Sequence, residues 1–218
     1  MVVEIKRKQR HGMGSFGEMK LSTFDGAVIA SFFPEGNEMT LSEIMERTDY
    51  SYERVNSSLK YLTEKKIVYE KKIGKTLVYS VDLQSLYVEF GFSSYILERE
   101  IDFIKKHKIV YKAIQEIEIN HLVRELILFG SYSKGTETKQ SDVDIIITCI
   151  PGKRGEVEHF VKSLKHKYGI NFAPIVIPMH EFPDIRKDNS ELWHDLKMYG
   201  IAFKGRETFY FWMYKDGK

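Results

Sequence analysis

The fold of the second half of the chain is decided by residues 128–146, which read LFGSYSKGTETKQSDVDII. An apolar run ends at the pair Gly130 and Ser131, and a second apolar run opens with Asp142 and Asp144. Glycine lets a backbone come close to a ligand, and serine can offer its N–H and its hydroxyl to a phosphate. Two carboxylates two residues apart on a strand share one face and form a hard oxygen site for Mg²⁺ or Mn²⁺. We therefore expect a site for a metal-bound triphosphate here.

Two further side chains of this stretch are candidates for contacts with a nucleotide. Lys134 can attract phosphate by its charge, and Ser141 carries a hydroxyl beside Asp142. A lysine in a loop is as often a plain solvated charge, so that alternative stays open for Lys134. The nucleotide-binding candidates are Gly130, Ser131, Lys134 and Ser141, and the candidate metal ligands and catalytic residues are Asp142 and Asp144.

The Gly-Ser and Asp-x-Asp pair resembles the motif of the polymerase beta nucleotidyltransferase superfamily, and in particular its minimal members in archaea and bacteria. The resemblance covers about residues 123–205. It implies that Gly130 and Ser131 hold a nucleoside triphosphate and that Asp142 and Asp144 hold Mg²⁺ or Mn²⁺. It also implies transfer of a nucleoside monophosphate from the triphosphate substrate to a hydroxyl or phosphate acceptor.

The sequence departs from this family at a third carboxylate, which the resemblance places on the strand after the next helix. That strand, around residues 169–175, contains no acid, and Asn171 stands where the resemblance predicts an aspartate. An amide oxygen can bind a metal, but it carries no charge and cannot accept a proton. Glu181 and Asp184 follow later, where strand geometry does not favour them as replacements.

The missing acid leaves the activity of this domain open. One reading is an enzyme that binds a nucleoside triphosphate with Mg²⁺ and transfers its nucleoside monophosphate to an unknown acceptor. The alternative is a catalytically inactive transcriptional regulator that uses the domain as a nucleotide sensor or a dimerisation module. A third reading is a protein-modifying nucleotidyltransferase that acts on a small helical protein partner.

Residues 21–83 follow a different pattern, which is a short helix, two further helices and then two β-prone runs. Thr40 and Glu43 have the spacing of a capping box and predict a helix start. The next helix, at about residues 51–65, has apolar residues at helical spacing. A basic stretch at residues 71–75 is expected at the tip of a hairpin. This order resembles the winged helix-turn-helix domains of bacterial and archaeal transcription regulators, which implies double-stranded DNA as a partner and favours a homodimer.

Positive charge is concentrated in this predicted DNA-binding region. Between Tyr50 and Ser80, seven lysine and arginine side chains stand against three glutamates, and such a local excess suits the DNA phosphates. Polar side chains on the outer face of a recognition helix can reach base edges and phosphates. The DNA-binding candidates are Tyr52, Asn56, Ser57 and Lys60 on the helix, and Lys71, Lys72 and Lys75 on the hairpin. A protein-interaction module with a solvated basic face is the open alternative.

Together these patterns predict an α+β protein of two domains, an N-terminal winged helix-turn-helix and a C-terminal nucleotidyltransferase-like mixed α/β sheet with flanking helices. The expected boundaries are a basic, glycine-rich arm at 1–20, a winged helix DNA-binding domain at 21–92, a connecting helix at 93–122 and the nucleotidyltransferase-like domain at 123–218. Residues 12–17 match the dinucleotide fingerprint G-x-G-x-x-G, but no strand precedes them, so we interpret them as part of a flexible arm. The aromatic residues at 210–214 predict a final strand or a dimer contact.

Composition restricts the remaining possibilities. The formal net charge of the 218 residues is only +2, so any nucleic-acid surface must be a local patch. A single cysteine, Cys149, excludes an internal disulfide and favours a reducing cytoplasm. No apolar stretch reaches the roughly 18–20 residues needed to span a bilayer, so no membrane partner is expected.

Overall fold

The computed structural model describes residues 3–4, 20–36 and 38–215, and the chain divides into two compact units, residues 1–95 and 96–218. Strand β1 (Val3–Glu4) pairs antiparallel with β2 (Lys20–Leu21). Most of the predicted basic arm, including the glycine-rich stretch at 12–17, lies outside the described residues.

The described part of the first unit contains three complete helices, a three-stranded antiparallel sheet and the beginning of a further helix. After β2 its elements are α1 (Thr23–Ala30), β3 (Met39–Thr40), α2 (Leu41–Thr48), α3 (Tyr52–Glu64), β4 (Val68–Ile73) and β5 (Thr76–Val81). The strands are ordered β3-β5-β4, and β4 and β5 form a hairpin. The helices and the hairpin that the sequence predicted are therefore present in the predicted order.

Local signals in the sequence explain where these helices begin. The predicted capping box is confirmed, because the Thr40 hydroxyl accepts from the backbone N–H of Glu43, and the Glu43 carboxylate accepts from the backbone N–H of Thr40. A second capping box of Ser22 and Asp25 starts α1. The Ser58 hydroxyl of α3 donates to Asp25 at 2.6 Å inside the unit, so the cap residue also fixes α1 against α3.

Helix α4 (Leu86–Lys106) and helix α5 (Lys108–Glu118) occupy the region where one connecting helix was expected. The predicted boundary at residue 93 is wrong as a helix start, because α4 begins inside the segment assigned to the first domain. The start is set by a turn at Asp82–Ser85, in which the Ser85 backbone N–H donates to the Asp82 carbonyl.

The second unit contains a four-stranded mixed sheet ordered β8-β7-β6-β9. Its strands are β6 (Val123–Leu128), β7 (Val143–Cys149), β8 (Phe172–Pro178) and β9 (Ile201–Lys204). β7 and β8 are parallel and are joined through α7 (Arg154–Tyr168), whereas β6 is antiparallel to both of its neighbours. The predicted alternation of strands and helices is confirmed, and the result is a mixed α/β unit.

Shorter helices complete this unit. They are α6 (Gly130–Lys134), a 3₁₀ helix (Met179–Asp184), α8 (Ile185–Asp188), α9 (Ser190–Tyr199), α10 (Arg206–Tyr210) and a π-helical turn (Phe211–Lys215). The final strand expected at 210–214 is therefore wrong. Gly205, with φ +78°, turns the chain after β9, and Trp212 stacks on Phe182 with ring centroids 3.8 Å apart. The aromatic cluster is thus mostly internal packing.

The main core of the second unit determines from which face of the sheet Asp144 projects. Val143, Ile145 and Ile147 of β7 are buried against residues of α5 and α7. Because successive side chains of a strand point to opposite faces, Asp144 projects from the other face of the sheet. Within the described part of the chain, no helix combines the length and apolar character that crossing a bilayer requires.

Candidate functional site

The turn between β6 and α6 brings a glycine against a carboxylate. Gly130 has φ +68°, a conformation that residues with a side chain rarely adopt. A Cβ atom placed on Gly130 would lie 2.1 Å from Asp144 Oδ2. The backbone N–H of the preceding Phe129 donates to the Asp144 carbonyl at 3.0 Å, which fixes the two segments together. Only glycine at this position leaves room for the Asp144 side chain.

Helix α6 follows directly and carries three of the four nucleotide-binding candidates. Gly130 and Ser131 form its first turn, and Lys134 forms its end. The Ser133 hydroxyl donates to the Gly130 carbonyl at 3.0 Å, and Gly135 ends the helix in the left-handed region. Ser131 is half-buried and lies one residue from the glycine that touches Asp144.

The two predicted metal-binding acids meet at the beginning of β7. Asp142 immediately precedes the strand and Asp144 is its second residue. Burial raises the pKa of the Asp144 carboxyl, the charges of Asp142 and Asp195 raise it further, and Lys134 opposes them. The carboxylates therefore repel each other in a partly desolvated place, and a cation between them would relieve that repulsion.

The donor set fits a divalent metal that is shared with a nucleotide. Among the residues that the structure describes, no cluster of three His, Cys, Asp or Glu side chains is arranged to hold a metal ion. Asp142 and Asp144 would supply two oxygen ligands, and phosphate oxygens and water would complete the coordination, as is common for Mg²⁺.

Strand β8 and the residue before it provide no third acid beside the two aspartates. The Asn171 side chain lies beside the site, and its Nδ2 donates to Asp142 Oδ1 at 2.5 Å. The parallel register pairs Asp144 with Ala173, which lies in the stretch 169–175 that contains no acid. Glu181 and Asp184 belong to the 3₁₀ helix after the strand. Neither Asn171, immediately before β8, nor Ala173 within it therefore provides a carboxylate beside the two aspartates.

Helix α9 contributes an acid that the sequence analysis missed. Lys134 Nζ is 2.5 Å from Asp195 Oδ1, and the same ammonium group lies 5.0 Å from the centre of the Tyr199 ring. Lys134 is thus paired with a carboxylate and lies over an aromatic ring of α9, and it remains exposed to solvent. No motif marks Asp195 in the sequence, because it is one of many charged residues on an amphipathic helix.

Arg99 of α4 fixes α6 relative to α9. Its guanidinium donates to the backbone carbonyls of Ser133 at 3.0 Å, Tyr199 at 2.8 Å and Gly200 at 3.0 Å. These carbonyls belong to the end of α6 and the end of α9. The position of Lys134 relative to Asp195 therefore depends on an arginine far away in sequence.

The fourth nucleotide-binding candidate, Ser141, serves the loop before Asp142. Its Oγ accepts from the backbone N–H of Thr138 at 2.9 Å, and the Ser141 backbone N–H donates to the Thr138 carbonyl at 3.1 Å. The Ser141 hydroxyl thus closes a turn in the loop before Asp142. Its observed contribution to the site is to hold the shape of this loop.

The DNA-binding candidates lie in the first unit, on α3 and on the β4–β5 hairpin. Tyr52, Ser57 and Lys60 are exposed on α3, and Asn56 is half-buried there. The opposite face of α3 is fully buried, as predicted from its apolar spacing. The hairpin lysines Lys71, Lys72 and Lys75 are exposed, and Lys71 lies 3.8 Å from Glu38.

Comparison with known proteins identifies a family domain within the second unit. The family model described as "Nucleotidyltransferase domain" matches residues 110–189, which include all six nucleotide- and metal-binding candidates. A protein of Methanocaldococcus jannaschii named "Putative protein adenylyltransferase" is 36% identical over 58 residues, which is 24% of this chain and 40% of that relative. No solved structure matches the chain significantly. The chain therefore contains a nucleotidyltransferase domain at residues 110–189.

Proposed function

We propose that the second unit binds a nucleoside triphosphate with Mg²⁺ or Mn²⁺ and transfers its nucleoside monophosphate to an acceptor. The observation that carries this proposal is the contact between Gly130 and Asp144, because it brings a phosphate-binding turn against a metal-binding acid. The match of the nucleotidyltransferase family to residues 110–189 supports the same reaction class.

Each residue has a defined task in this proposal. Gly130 and Ser131 bind triphosphate oxygens through backbone N–H groups and the serine hydroxyl. Asp142 and Asp144 would hold the metal, which would supply positive charge while the acceptor oxygen bonds to the α-phosphorus and pyrophosphate leaves. Lys134 exchanges its pairing with Asp195 for the phosphates. Asn171 cannot accept the proton of the attacking hydroxyl, so we expect slower turnover than a site with three carboxylates would give.

The transfer itself is tested with triphosphate labelled at the α-phosphate. Incubation with Mn²⁺ or Mg²⁺ and cell extract should move label onto an acid-stable acceptor with wild-type protein and should not do so with Asp142→Asn. Equal labelling by both proteins would contradict the proposal. Nucleotide binding without any transfer would favour the alternative, a catalytically inactive regulator with a nucleotide sensor.

A protein acceptor is a second candidate for the substrate, because the relative from Methanocaldococcus jannaschii is named as a protein adenylyltransferase. In that case the partner would be a polypeptide hydroxyl, such as one on a small helical protein. Label that becomes sensitive to protease and resistant to nuclease would identify this acceptor class.

For the first unit we propose a winged helix-turn-helix that binds double-stranded DNA. The helix order and the β3-β5-β4 sheet support this assignment, as do the polar outer face of α3 and the lysine-rich hairpin. In this proposal α3 enters the major groove and the hairpin contacts phosphates.

Salt dependence tests the DNA proposal. Replacing Lys71, Lys72 and Lys75 by Gln should weaken binding to duplex DNA and reduce the slope of log affinity against log salt by about two to three. A matched triple change of exposed lysines in the second unit, Lys108→Gln, Lys162→Gln and Lys165→Gln, should leave the slope unchanged. Absence of duplex binding at low salt would rule the proposal out.

A further inference from the structure

A groove on the second unit is lined by apolar side chains from three elements. They are Ile175 and Ile177 of β8, Ile185 of α8 and Leu192 of α9, and the groove encloses about 320 Å³. The Ile175 side chain is 37% exposed although it lies in the middle of a strand. Concave apolar surfaces of roughly 300–1,000 Å³ are typical of ligand sites, whereas single exposed apolar side chains are ordinary.

The rest of the lining is polar and mainly acidic. Glu181, Asp184 and Asp188 contribute carboxylates, and the described residues that line the groove include no lysine or arginine. Lys187 Nζ lies 3.6 Å from Asp184, and His180 Nε2 lies 3.9 Å from Glu181. Exposed ion pairs of this kind are weak. Three carboxylates therefore stand against one lysine and one histidine, and this rim repels phosphate groups and attracts the cationic side chains of a ligand.

The groove lies on the same face of the sheet as the candidate metal ligand Asp144. Asp144 pairs with Ala173, and Ile175 lies two residues further along β8. Side chains two residues apart on a strand point to the same face and are separated by about 7 Å. Leu192 and Asp195 are three residues apart on α9 and share one side of that helix, and the charge of Asp195 raises the pKa of Asp144. The groove therefore extends towards the metal site along both elements.

The outer edge of β8 is poorly suited to pairing with a strand of another chain. β8 is the last strand on one side of the sheet, and it contains Pro174 and Pro178. Proline lacks the backbone N–H that an added strand would need as a donor. We therefore expect side-chain contacts within the groove to hold its ligand.

We propose that this groove binds the acceptor of the nucleotidyl transfer, and that the acceptor is a polypeptide segment in which Leu or Ile side chains lie near Lys or Arg. The proposal rests on the proposed function of the second unit. An extended chain advances about 3.3 Å per residue, so about two to four residues span the roughly 7–14 Å between the groove and the level of Asp144. The acceptor hydroxyl therefore belongs to a Ser, Thr or Tyr at that distance from the apolar side chain.

The transfer step balances with these components. The hydroxyl oxygen of the segment bonds to the α-phosphorus of the triphosphate. The bond from the α-phosphorus to the oxygen that bridges it to the β-phosphorus breaks, and pyrophosphate leaves with the electron pair. The proton of the hydroxyl passes to water.

Selection from a random peptide library displayed on phage tests the groove in the absence of nucleotide. Peptides retained by the full-length wild type but not by Ile175→Lys should combine Leu or Ile with Lys or Arg. A synthetic copy of the most enriched peptide should bind the Asp184→Lys, Asp188→Lys double variant about tenfold more weakly, because two attractive contacts become repulsive.

The matched control is the Glu98→Lys, Glu207→Lys double variant, which reverses two exposed acids outside the groove and should bind the peptide as the wild type does. Unchanged thermal unfolding of each variant verifies that the fold is intact. Failure of any peptide to distinguish the wild type from Ile175→Lys, or distinguishing peptides of another composition, would overturn the proposal.

Transfer to the selected peptide separates a failure of the groove from a failure of the proposed function. The probes are synthetic copies that carry one tyrosine at increasing distance from the apolar side chain, together with triphosphate labelled at the α-phosphate and Mn²⁺. Labelling by the wild type should be greatest at about two to four residues. Asp142→Asn should bind the same peptides with unchanged affinity and leave them unlabelled.

The two possible failures differ in their results. Bound peptides that stay unlabelled at every distance, while the wild type labels another acceptor, would overturn the groove as the acceptor site. Absence of transfer to any acceptor would refute the proposed function, and with it the acceptor role of the groove, although the groove would still bind the peptide.

Discussion

At the scale of single residues, the site depends on the absence of a Cβ atom at Gly130. The position of Gly130 leaves the space that Asp144 occupies, and the backbone there is in the left-handed region. Gly135, five residues later, has a similar φ of +71° but has nothing within 4 Å of a would-be Cβ. Substitutions at the two glycines therefore distinguish two free-energy costs. Both include backbone strain, and only the one at Gly130 includes displacement of the Asp144 carboxylate.

The pair Gly130→Ala and Gly135→Ala tests this contact. Both changes should destabilise the fold by about 1–2 kcal/mol through the left-handed backbone. Gly130→Ala should in addition weaken binding of ATP with Mg²⁺ at least about tenfold, since Asp144 must move by more than a typical 0.5 Å tolerance. Isothermal titration of the two variants makes the comparison, and equal nucleotide affinity in both would contradict the assigned role of Gly130.

The carboxylate of Asp144 should destabilise the free protein at neutral pH. Burial and the neighbouring acids raise the pKa of Asp144. A carboxyl with a higher pKa in the folded than in the unfolded chain stabilises the fold at low pH, and this contribution is lost as the pH rises through the folded pKa. Asp144→Asn is therefore expected to raise the melting temperature at neutral pH in EDTA.

That gain should disappear below about pH 4, where the unfolded carboxyl is also protonated. Mg²⁺ with ATP should stabilise the wild type and leave Asp144→Asn unaffected, because only the native acid pair binds the complex. Asp188→Asn, an exposed change on α8, is the control. A gain from Asp144→Asn that is the same at both pH values would disprove the electrostatic explanation.

Sequence reasoning at this scale finds candidate residues that a local motif marks, and it misses residues that only the packing of distant helices brings near. Gly130, Asp142 and Asp144 follow from a motif in which each residue type has a physical reason. Asp195 and Arg99 approach the site only through the packing of α9 and α4, and nothing in their local sequence distinguishes them from ordinary surface charges.

At the scale of elements, Arg99 connects the ends of α6 and α9 through hydrogen bonds. It satisfies three backbone carbonyls at the ends of these helices. Helix ends that lack such donors leave polar groups unsatisfied. The alignment of Lys134 with Asp195 should therefore depend on this single guanidinium.

Arg99→Met should destabilise the second unit by about 2–3 kcal/mol, because three carbonyls lose a charged donor. Both tryptophans, Trp193 and Trp212, lie in this unit, so urea unfolding followed by tryptophan fluorescence reports on it selectively. The control Lys105→Met removes an exposed cation from the same helix and should change the stability by less than about 0.5 kcal/mol. Similar midpoints for the two variants would contradict the role of Arg99.

Replacing either of two adjacent serines on α3 should affect a different property of the protein. Ser58 donates to Asp25 in the interior, so Ser58→Ala should lower the stability of the first unit by about 1–2 kcal/mol. Ser57 is exposed on the proposed DNA-binding face, so Ser57→Ala should preserve stability and weaken DNA binding. Circular dichroism melting and duplex titration separate the two effects. A destabilised Ser57→Ala would mean that the face of α3 has been assigned incorrectly.

The elements themselves were largely predictable, because most are marked by caps and by apolar periodicity. The capping box at Thr40 and the helix at about residues 51–65 are examples. The start of α4 and the helical end after Gly205 were not, because aromatic runs such as residues 209–214 suit a strand or a packed helix equally well. The structure resolves these alternatives by a helical backbone whose aromatic side chains are mostly buried, with Trp212 stacked on Phe182.

At the scale of the whole molecule, one chain carries a proposed DNA-binding unit and a nucleotidyltransferase domain. If nucleotide binding changes the affinity for DNA, then DNA must change the affinity for nucleotide by the same factor. Unchanged affinities in both directions would show that the two activities are independent.

The account depends most on a metal-bound triphosphate held between Gly130 and the two aspartates. Isothermal titration of ATP in the presence of Mg²⁺ tests it directly, with wild-type protein compared with the Asp142→Asn, Asp144→Asn double variant. We predict one nucleotide bound per chain by the wild type, strict dependence on the divalent ion, and no measurable binding by the variant. Equal binding by both proteins, or binding by the wild type that persists in EDTA, would contradict the account.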